Sequence, residues 1–375
     1  MRIVVVQEKL EGERRVASTP EVVEDLITQG NEVCVQSGAG TLAGFYDDDY
    51  QKIGATIASD SSSAIGDEGI VLTINGLLGT DLTPLNSKHV VLGLLDPLWD
   101  PELSNKLAET GATVLSLDLV PRSTRAQVVD VLSSMATVVG FQAILMAAER
   151  MPKLFPLLIT AAGTIPPARV IVLGAGVAGL QAMAIARRLG ANVEGFDIRP
   201  EALEQIRSLG AKSIDLLEGE EGETPPQRDE RIQKGMLPYF AEADLVITAA
   251  QIPGAKSPIL VTQEMVEAMK PGSLLVDLSI QRGGNCALSQ MDTEVMHQRV
   301  TILAPSNLAS DMALSASRMF AKNLSNLVQL ISEEGDIVIN REDEVVETML
   351  VAHEGKIVNK AVLQKFDTES QRAES

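Results

Sequence analysis

The chain has 375 residues, 45% of them hydrophobic and 3% aromatic, and its 51 acidic and 31 basic residues give a formal net charge of -20. This length exceeds a typical single domain of about 100–200 residues and predicts two domains, whereas the acidic balance argues against nucleic acid or an anionic membrane surface as a main partner. Cys34 and Cys286 lie far apart without metal-ligand spacing, which predicts buried thiols in a reducing compartment and no metal site.

The first 120 residues alternate short β-branched runs with helical patterns. Between the first two runs, Thr19-Pro20-Glu21 provides a helix start and Gly30 a stop. Residues 7–13, after the first run, are charged and lack a glycine fingerprint, so we expect no dinucleotide there. The alternation predicts a parallel sheet with crossover helices. Its candidate strands are residues 3–6, 33–36, 70–74, 90–95 and 113–117.

Apolar residues recur at helical spacing from residue 123 to residue 150, which predicts one long helix that joins two domains. The most apolar stretches, residues 138–148 and 154–167, are short and interrupted by charges or proline, so we expect no direct membrane insertion. The N-terminus has no signal-peptide pattern, and we expect no export. Residues 160–168 are predicted to lead as a loop into the second domain.

A glycine-rich block follows this loop. The continuous apolar run at residues 170–173 predicts a strand that is buried on both faces, and Gly174, Gly176 and Gly179 come directly after it. A helical pattern then continues to Gly190, which stops it. Because the glycines precede a helix N-terminus, the block predicts a turn that binds the pyrophosphate of a dinucleotide. Without a ligand, the same pattern would describe a tight turn that closes a βαβ unit.

Asp197 ends the next apolar run, residues 193–196, at the spacing of an acid that hydrogen-bonds the adenosine ribose. An acid at this position favours NAD and repels the extra phosphate of NADP. Arg199 can accept a phosphate, but it follows the acid rather than replacing it. We therefore predict NAD(H) as the bound nucleotide.

The remaining pattern predicts a second sheet of about six strands, which includes residues 245–248, 274–278 and 300–304. Residues 218–235 are charged and rich in glycine and proline, which predicts a mobile surface loop. Residues 319–331 are predicted to form an amphipathic helix that returns to the first domain. The polar tail at 368–375 is expected to be frayed.

The predicted fold is α/β, with two Rossmann-like domains that have parallel sheets and are joined by long helices. We place the N-terminal Rossmann-like domain at residues 1–130 and complete it with the C-terminal segment 311–375. The NAD-binding Rossmann domain is placed at residues 131–310.

Several motifs resemble the family of alanine dehydrogenase and of the soluble NAD(H)-binding alpha subunit, or domain I, of proton-translocating NAD(P) transhydrogenase. The shared opening is Gln7-Glu8-Lys9 followed by Glu13-Arg14-Arg15-Val16-Ala17, and the glycine block matches both proteins. Residues 121–134, with Arg122, Gln127 and Asp130, resemble the transhydrogenase loop at the nicotinamide end of the cofactor. Residues 160–169 and 283–286 are also similar to transhydrogenase.

The resemblance implies the roles of individual residues. Arg122, Gln127 and Asp130 would be catalytic: Arg122 would hold the nicotinamide end, with Asp130 and Ser133 nearby, and Gln127 would lie between two nicotinamides. Taken alone, residues 121–134 equally suit a capped helix start with solvated side chains. The remaining cofactor-binding residues implied by the resemblance are Gly174, Ala175, Gly176, Val177 and Gly179 at the pyrophosphate, Asp197, Ile198 and Arg199 at the adenosine side, and Ala250.

The resemblance also implies direct hydride transfer between NAD(H) on this chain and NADP(H) on a partner chain. The chain has a single glycine fingerprint, which agrees with a second nucleotide bound elsewhere. The implied partners are an NADP-binding subunit and a membrane-spanning subunit that moves protons, and the chain itself would be a homodimer. Its implied location is cytoplasmic, peripheral to the inner membrane through its partners.

Two other functions remain open from the residues. An alanine-type amino acid dehydrogenase needs a lysine and a histidine as acid/base groups in the first domain, but Ile74-Asn75 and Leu94-Leu95-Asp96 lack both. The three histidines, His89, His297 and His353, are predicted to lie at the surface. A catalytically silent NAD-binding module is supported by departures from the transhydrogenase pattern, namely the absence of tyrosine from residues 218–235 and Gln281-Arg282 before the Gly-Gly-Asn-Cys block.

Overall fold

The computed structural model describes residues 1–219 and 222–373. In these ranges the strands, in chain order, are β1 (Arg2–Val5), β2 (Glu32–Gln36), β3 (Thr56–Ala58), β4 (Gly69–Leu72), β5 (His89–Gly93), β6 (Thr113–Ser116), β7 (Leu158–Thr160), β8 (Gly163–Ile165), β9 (Arg169–Leu173), β10 (Asn192–Phe196), β11 (Lys212–Ser213), β12 (Leu245–Thr248), β13 (Leu274–Asp277), β14 (Val295–His297), β15 (Val300–Leu303), β16 (Ser332–Glu333), β17 (Asp336–Ile337), β18 (Leu350–His353) and β19 (Lys356–Ile357).

The α-helices are α1 (Pro20–Thr28), α2 (Asp47–Lys52), α3 (Ser61–Ile65), α4 (Glu102–Glu109), α5 (Val131–Arg150), α6 (Val177–Arg188), α7 (Pro200–Ser208), α8 (Pro225–Glu242), α9 (Gln263–Glu267), α10 (Leu308–Asp311), α11 (Ala313–Leu330), α12 (Glu344–Met349) and α13 (Lys360–Ala373). Short 3-10 helices occupy Thr41–Ala43, Leu117–Leu119, Arg125–Val129 and Ile280–Arg282.

The chain divides into two compact units. Unit 1 comprises Met1–Met135 and Ala309–Ser375, and unit 2 comprises Ala136–Leu308. The corresponding boundaries expected from the sequence follow residues 130 and 310. Each unit contains a mainly parallel sheet with helices, so the predicted α/β class with two Rossmann-like domains is confirmed.

Unit 1 contains an eight-stranded sheet in the order β19-β18-β6-β5-β4-β1-β2-β3. Strands β1 to β6 run parallel, whereas β18 lies antiparallel to β6 and β19 antiparallel to β18. The helix predicted at residues 319–331 lies within α11, which belongs to this unit. The tail predicted to fray from residue 368 is helical to Ala373, and residues 374 and 375 lie outside the described residues.

His89 is fully buried, so its predicted surface position was wrong. It begins β5, which pairs with β4 on one side and β6 on the other. Its Nδ1 accepts a hydrogen bond from the Asn86 backbone N–H at 3.1 Å. Burial lowers the pKa of the imidazole, which keeps it neutral in the folded chain. His297 and His353 are partly exposed.

The burial of His89 predicts an acid-sensitive contribution to stability. Since its folded pKa lies below its unfolded value, unfolding takes up a proton, and the free energy of unfolding should fall as the pH drops below about 6.5. The variant His89→Gln should show a shallower fall between about pH 7.5 and pH 5.5 in urea titrations. At about pH 8 the two proteins should differ only by the pH-independent effect of the substitution. Equal slopes for both proteins would contradict this account.

Unit 2 contains a seven-stranded sheet in the order β11-β10-β9-β12-β13-β15-β14, parallel except for β14. Strand β9 lies between β10, which follows it in the chain, and β12, which comes later. This change of direction in strand order forms a crevice at the carboxyl ends of the strands, where open α/β sheets bind ligands.

Both faces of β9 are covered, which explains its uninterrupted apolar run. Val170 and Val172 pack in one buried cluster with residues of α5, α6 and α7. Ile171 and Leu173 pack on the other face with residues of α8 and α9. The strand therefore has no solvent-facing side on which a polar residue would be tolerated.

The long helix predicted from residue 123 begins instead at Val131, so its predicted start was wrong. Residues Arg125–Val129 form a 3-10 helix, and the Asp130 carboxylate then accepts hydrogen bonds from the Ser133 N–H at 2.9 Å and from Ser133 Oγ at 2.6 Å. These bonds cap the new helix. With a mean hydropathy of 1.8, α5 is long and apolar enough to cross a membrane by length and composition. Helices that pack inside a protein meet the same criteria.

Two segments predicted as loops contain regular structure. Within 218–235, α8 begins at Pro225 after a capping box formed by Thr224 and Gln227, so the loop prediction was wrong from Pro225 onwards. Proline is favourable at a first helical position because the N–H that it lacks would have no partner there. Residues 220 and 221 of this segment lie outside the described residues. Within 160–168, β8 pairs with β7 as an antiparallel hairpin.

Candidate functional site: a nucleotide-binding turn in unit 2

The glycine turn connects β9 to α6, and its three glycines have different surroundings. Gly174 adopts a φ of 99°, and a Cβ there would lie 2.9 Å from the carbonyl carbon of Ala249. A Cβ on Gly179 would overlap the carbonyl oxygen of Gly174. A Cβ on Gly176, by contrast, would meet no atom within 4 Å. The first and third glycines therefore permit close packing, and the second leaves backbone open for the approach of a ligand.

The N-terminus of α6 forms the centre of this site. Gly176 is the N-cap and provides no side-chain cap, and Val177 begins the helix with 38% of its surface exposed. The first N–H groups of a helix lack partners within the helix and carry the positive end of its dipole. This end of α6 therefore suits an anionic group such as a pyrophosphate.

Asp197 lies at the end of β10 and is 8% exposed. Its Oδ2 accepts hydrogen bonds from the Ala175 N–H at 2.8 Å and from Arg199 Nη2 at 2.9 Å. Its Oδ1 accepts from the Arg199 N–H and Nε, both at 2.9 Å. Burial by itself would raise the pKa of Asp197, but the bonds from Arg199 and Ala175 outweigh it and hold the pKa below its usual value.

The carboxylate of Asp197 therefore ties the glycine turn to the end of β10. A carboxylate has about four lone-pair positions for donors, and Asp197 uses four bonds within the chain. A ribose hydroxyl that donates to Asp197 must compete with Arg199, whose side chain is 52% exposed. Ile198, between them, is 57% exposed and leaves an apolar surface beside the turn.

Ala250 follows β12 and completes the set of predicted cofactor-binding residues in unit 2. Its N–H donates to Asn285 Oδ1 at 3.0 Å. The structure thus brings the glycine turn, Asp197 and Ala250 to the carboxyl ends of three adjacent strands, β9, β10 and β12. Asp277 and Asn285, which lie beneath this edge, were not identified from the sequence. Asp277 ends a buried apolar run just as Asp197 does, and this was the available signal.

Arg122, Gln127, Asp130 and Ser133 belong to unit 1. Arg122 and Gln127 are exposed, whereas Asp130 and Ser133 are partly buried and bonded to each other. The segment is held in place by its backbone, because the Val128 carbonyl accepts bonds from two asparagines of α11, and by an ion pair. These contacts are Asn323 Nδ2 at 2.8 Å, Asn326 Nδ2 at 2.7 Å and the pair Arg125–Asp343.

The first-domain region where a dehydrogenase would need its acid/base pair contains carboxylates and an amide. Burial raises the pKa of Glu8, which accepts from the Ile74 N–H at 2.6 Å and the Asn75 N–H at 3.1 Å. Burial would also raise the pKa of Glu13, but its bonds to Arg15 hold that pKa at about 2. Within residues 1–219 and 222–373, no group of three or more His, Cys, Asp or Glu side chains is placed to hold a metal ion.

A glycine turn at the carboxyl edge of a parallel sheet, followed by an acid at the end of the next strand, defines a dinucleotide-binding α/β protein. The chain belongs to the alanine dehydrogenase/pyridine nucleotide transhydrogenase family of oxidoreductases. The family model "Alanine dehydrogenase/PNT, N-terminal domain" matches residues 4–139, and "Alanine dehydrogenase/PNT, C-terminal domain" matches residues 143–360. The resemblance inferred from the motifs is confirmed.

Relatives match over nearly the whole chain. An NAD(P) transhydrogenase alpha-subunit protein of Rickettsia prowazekii is 40% identical over 98% of this chain and 99% of its own length. The protein of the same name from Rhodospirillum rubrum is 38% identical over 96% and 99%. A crystal structure of transhydrogenase from Sinorhizobium meliloti matches with a TM-score of 0.87 and 38% identity, covering 96% of this chain and 100% of that one. A solved L-alanine dehydrogenase, 24% identical with a TM-score of 0.82, shares the fold.

Proposed function

We propose that the chain binds NAD(H) and transfers a hydride directly between it and NADP(H) held by a partner subunit. The observation that carries this proposal is the combination of the open Gly176 turn with Asp197 in a chain similar end to end to transhydrogenase alpha subunits. The turn from Gly174 to Val177, together with Gly179, would hold the pyrophosphate. Asp197, Ile198, Arg199 and Ala250 would lie at the adenosine side.

Hydride transfer between two nicotinamide rings gives no proton to the protein and takes none from it. The protein must instead align the two rings and exclude water. Arg122 would hold the nicotinamide end of NAD(H), Asp130 and Ser133 would support it, and the Gln127 amide would lie between the two rings. The exposure of Arg122 and Gln127 on a segment fixed by Asn323 and Asn326 supports these roles.

The proposed assembly couples hydride transfer to proton movement through a membrane-spanning subunit. An NADP-binding subunit would supply the second nucleotide, which fits the one glycine fingerprint of this sequence. The chain would then lie at the cytoplasmic side of the inner membrane, attached through its partners. Because its relatives are named as alpha subunits, their names support the existence of partner subunits.

A homodimer is supported by the β7–β8 hairpin. These two strands pair with each other as a separate two-stranded sheet, and all six of their residues are exposed. Ile159 is 74% exposed, Leu157 52% and Ile165 43%. An isolated two-stranded hairpin is marginally stable in water, and a contiguous apolar surface indicates an interface. A second copy of the chain is the proposed cover, since two-fold dimers are the commonest assemblies.

A mixing experiment tests the reaction. The chain is combined with an NADP-binding transhydrogenase domain, and hydride exchange between NADH and an NADP analogue is followed, with alanine plus NAD as a separate substrate test. Exchange without alanine oxidation is expected. Alanine oxidation would support the dehydrogenase alternative, and NADH binding without exchange would support the silent module.

Gln127→Asn should slow hydride exchange by about tenfold or more while NADH affinity stays within about threefold, as expected for a group that acts between the rings. The shorter amide removes the contact that aligns the rings and leaves the pyrophosphate and adenosine contacts in place. Single-turnover exchange rates and NADH titrations of the chain alone measure the two quantities. A large loss of affinity at an unchanged exchange rate would place Gln127 in binding instead.

A further inference from the structure

Beneath the nucleotide edge of unit 2, a buried carboxylate is surrounded by neutral donors. Asp277 ends β13 and is fully buried. Five hydrogen bonds reach its two oxygens. The donors are Thr248 Oγ1 at 3.0 Å, the Ser279 N–H at 3.0 Å, the Asn285 N–H at 2.8 Å, the Cys286 N–H at 2.9 Å and Ser289 Oγ at 2.8 Å. Donors of this number compensate the anion for lost water and fix the segment that supplies them.

That segment approaches Asp277 closely because it contains glycine. Gly284 has a φ of 79°, and a Cβ there would lie 2.7 Å from Asp277 Oδ2. The backbone can therefore deliver two consecutive N–H groups, those of Asn285 and Cys286, to one carboxylate oxygen. This places the side chain of Asn285, which is fully buried, in a single position.

Asn285 in turn holds the loop that follows β12. Its Oδ1 accepts from the Ala250 N–H at 3.0 Å, and its Nδ2 donates to the Ala250 carbonyl at 2.9 Å and to the Pro258 carbonyl at 2.8 Å. One amide thus satisfies both backbone groups of Ala250 and reaches the far end of the same loop. Ser279 Oγ adds a second bond to the Ala250 carbonyl at 3.1 Å.

The loop held by Asn285 lies directly against the glycine turn. The position of a Cβ on Gly174 is 2.9 Å from Ala249 O and 3.0 Å from Ala250 N, and the Ala249 N–H donates to the Leu173 carbonyl at 2.8 Å. A shift of Ala249 or Ala250 by a few tenths of an ångström would therefore move the turn. The contacts form a continuous path from Asp277 through Asn285 and Ala250 to Gly174.

We propose that Asn285, fixed by Asp277, is a positioning residue that sets the affinity of the glycine turn for NAD(H). This inference depends on the proposed binding of NAD(H) at that turn. With Ala250 fixed before the ligand arrives, binding does not have to order the loop, and more of the contact energy is retained as affinity. Loss of the amide would leave Ala250 with one side-chain bond and return that ordering cost to the binding step.

The test compares Asn285→Ala with Ser273→Ala. Ser273 is 3% exposed and donates to the Ala243 carbonyl at 3.0 Å, at the amino-terminal edge of the same sheet. Both variants should lower the thermal unfolding midpoint, since each loses a buried hydrogen bond. Only Asn285→Ala should weaken binding of NADH to the chain alone, by about tenfold in fluorescence titrations, and Ser273→Ala should bind as the wild type does.

Two further variants keep the test decisive if Asn285→Ala does not fold. Ser289→Ala removes one of the five donors to Asp277 and should weaken NADH binding by about threefold. Asn285→Asp keeps the acceptor for the Ala250 N–H but turns a carboxylate oxygen towards two carbonyls, so its affinity for NADH should improve as acidification protonates the new side chain. Wild-type affinity in every folded variant would overturn the positioning role. Failure of the wild-type chain to bind NADH would overturn the proposed function instead.

Discussion

Gly176→Ala is expected to remove most NADH binding without unfolding unit 2. A methyl group at this position meets no atom within 4 Å, and the φ of -75° is ordinary for alanine, so the thermal midpoint should stay within about 2 °C of the wild type. The same methyl group projects where the backbone would approach a pyrophosphate. The dissociation constant for NADH should therefore rise by about 30-fold or more, measured by titration of the chain alone.

Gly179→Ala provides the contrasting result. Its methyl group would overlap the Gly174 carbonyl oxygen, so α6 has to move away from the end of β9. We expect a loss of roughly 3 kcal/mol in the free energy of unfolding, as for severe overpacking of a core, together with weaker NADH binding. If both variants lost stability equally, or if Gly176→Ala bound NADH normally, the assignment of the turn to a pyrophosphate would be wrong.

Ile159→Lys is expected to convert the proposed homodimer into monomers. Ile159 is 74% exposed on the free hairpin, and a charge at this position would be buried without a partner in any interface that covers it. A cost of several kcal/mol should raise the dimer dissociation constant by at least about 100-fold. Analytical ultracentrifugation across a concentration series measures the change in mass.

Leu42→Lys is the matched control for the hairpin variant. Leu42 is 60% exposed in unit 1, away from the hairpin in sequence, and its replacement should leave the dimer intact. A wild-type chain that sediments as a monomer would indicate that a different subunit covers the hairpin. Dimers that persist in Ile159→Lys would place the interface elsewhere on the surface.

The nucleotide-binding turn could be predicted because all of its signals lie within about thirty consecutive residues. The apolar run of β9, the three glycines, the pattern of α6 and the acid at the end of β10 each follow a local rule of strand, turn or helix. The structure places each of them in the expected element. The continuous apolar character of β9 was informative because both of its faces are covered.

Other errors had local causes that the composition concealed. The start of α8 carries a capping box at Thr224 and prolines at its first positions, but the surrounding charges and glycines favoured a loop. Asp130, inside a helical periodicity, is a helix cap and moved the start of α5 to Val131. In both cases a polar side chain near a helix end changed the boundary, whereas the apolar pattern alone did not show it.

The sequence by itself determined the α/β class, the position of the glycine turn and the family, since these depend on short-range periodicity and on residue types in fixed order. Only the tertiary structure decided that His89 is buried, that Arg199 occupies the carboxylate of Asp197, and that Asn285 fixes Ala250. Burial of His89 depends on strands that flank it from other parts of the chain. Ala250 and Asn285 are 35 positions apart in sequence and meet only because parallel strands bring their carboxyl ends to one edge.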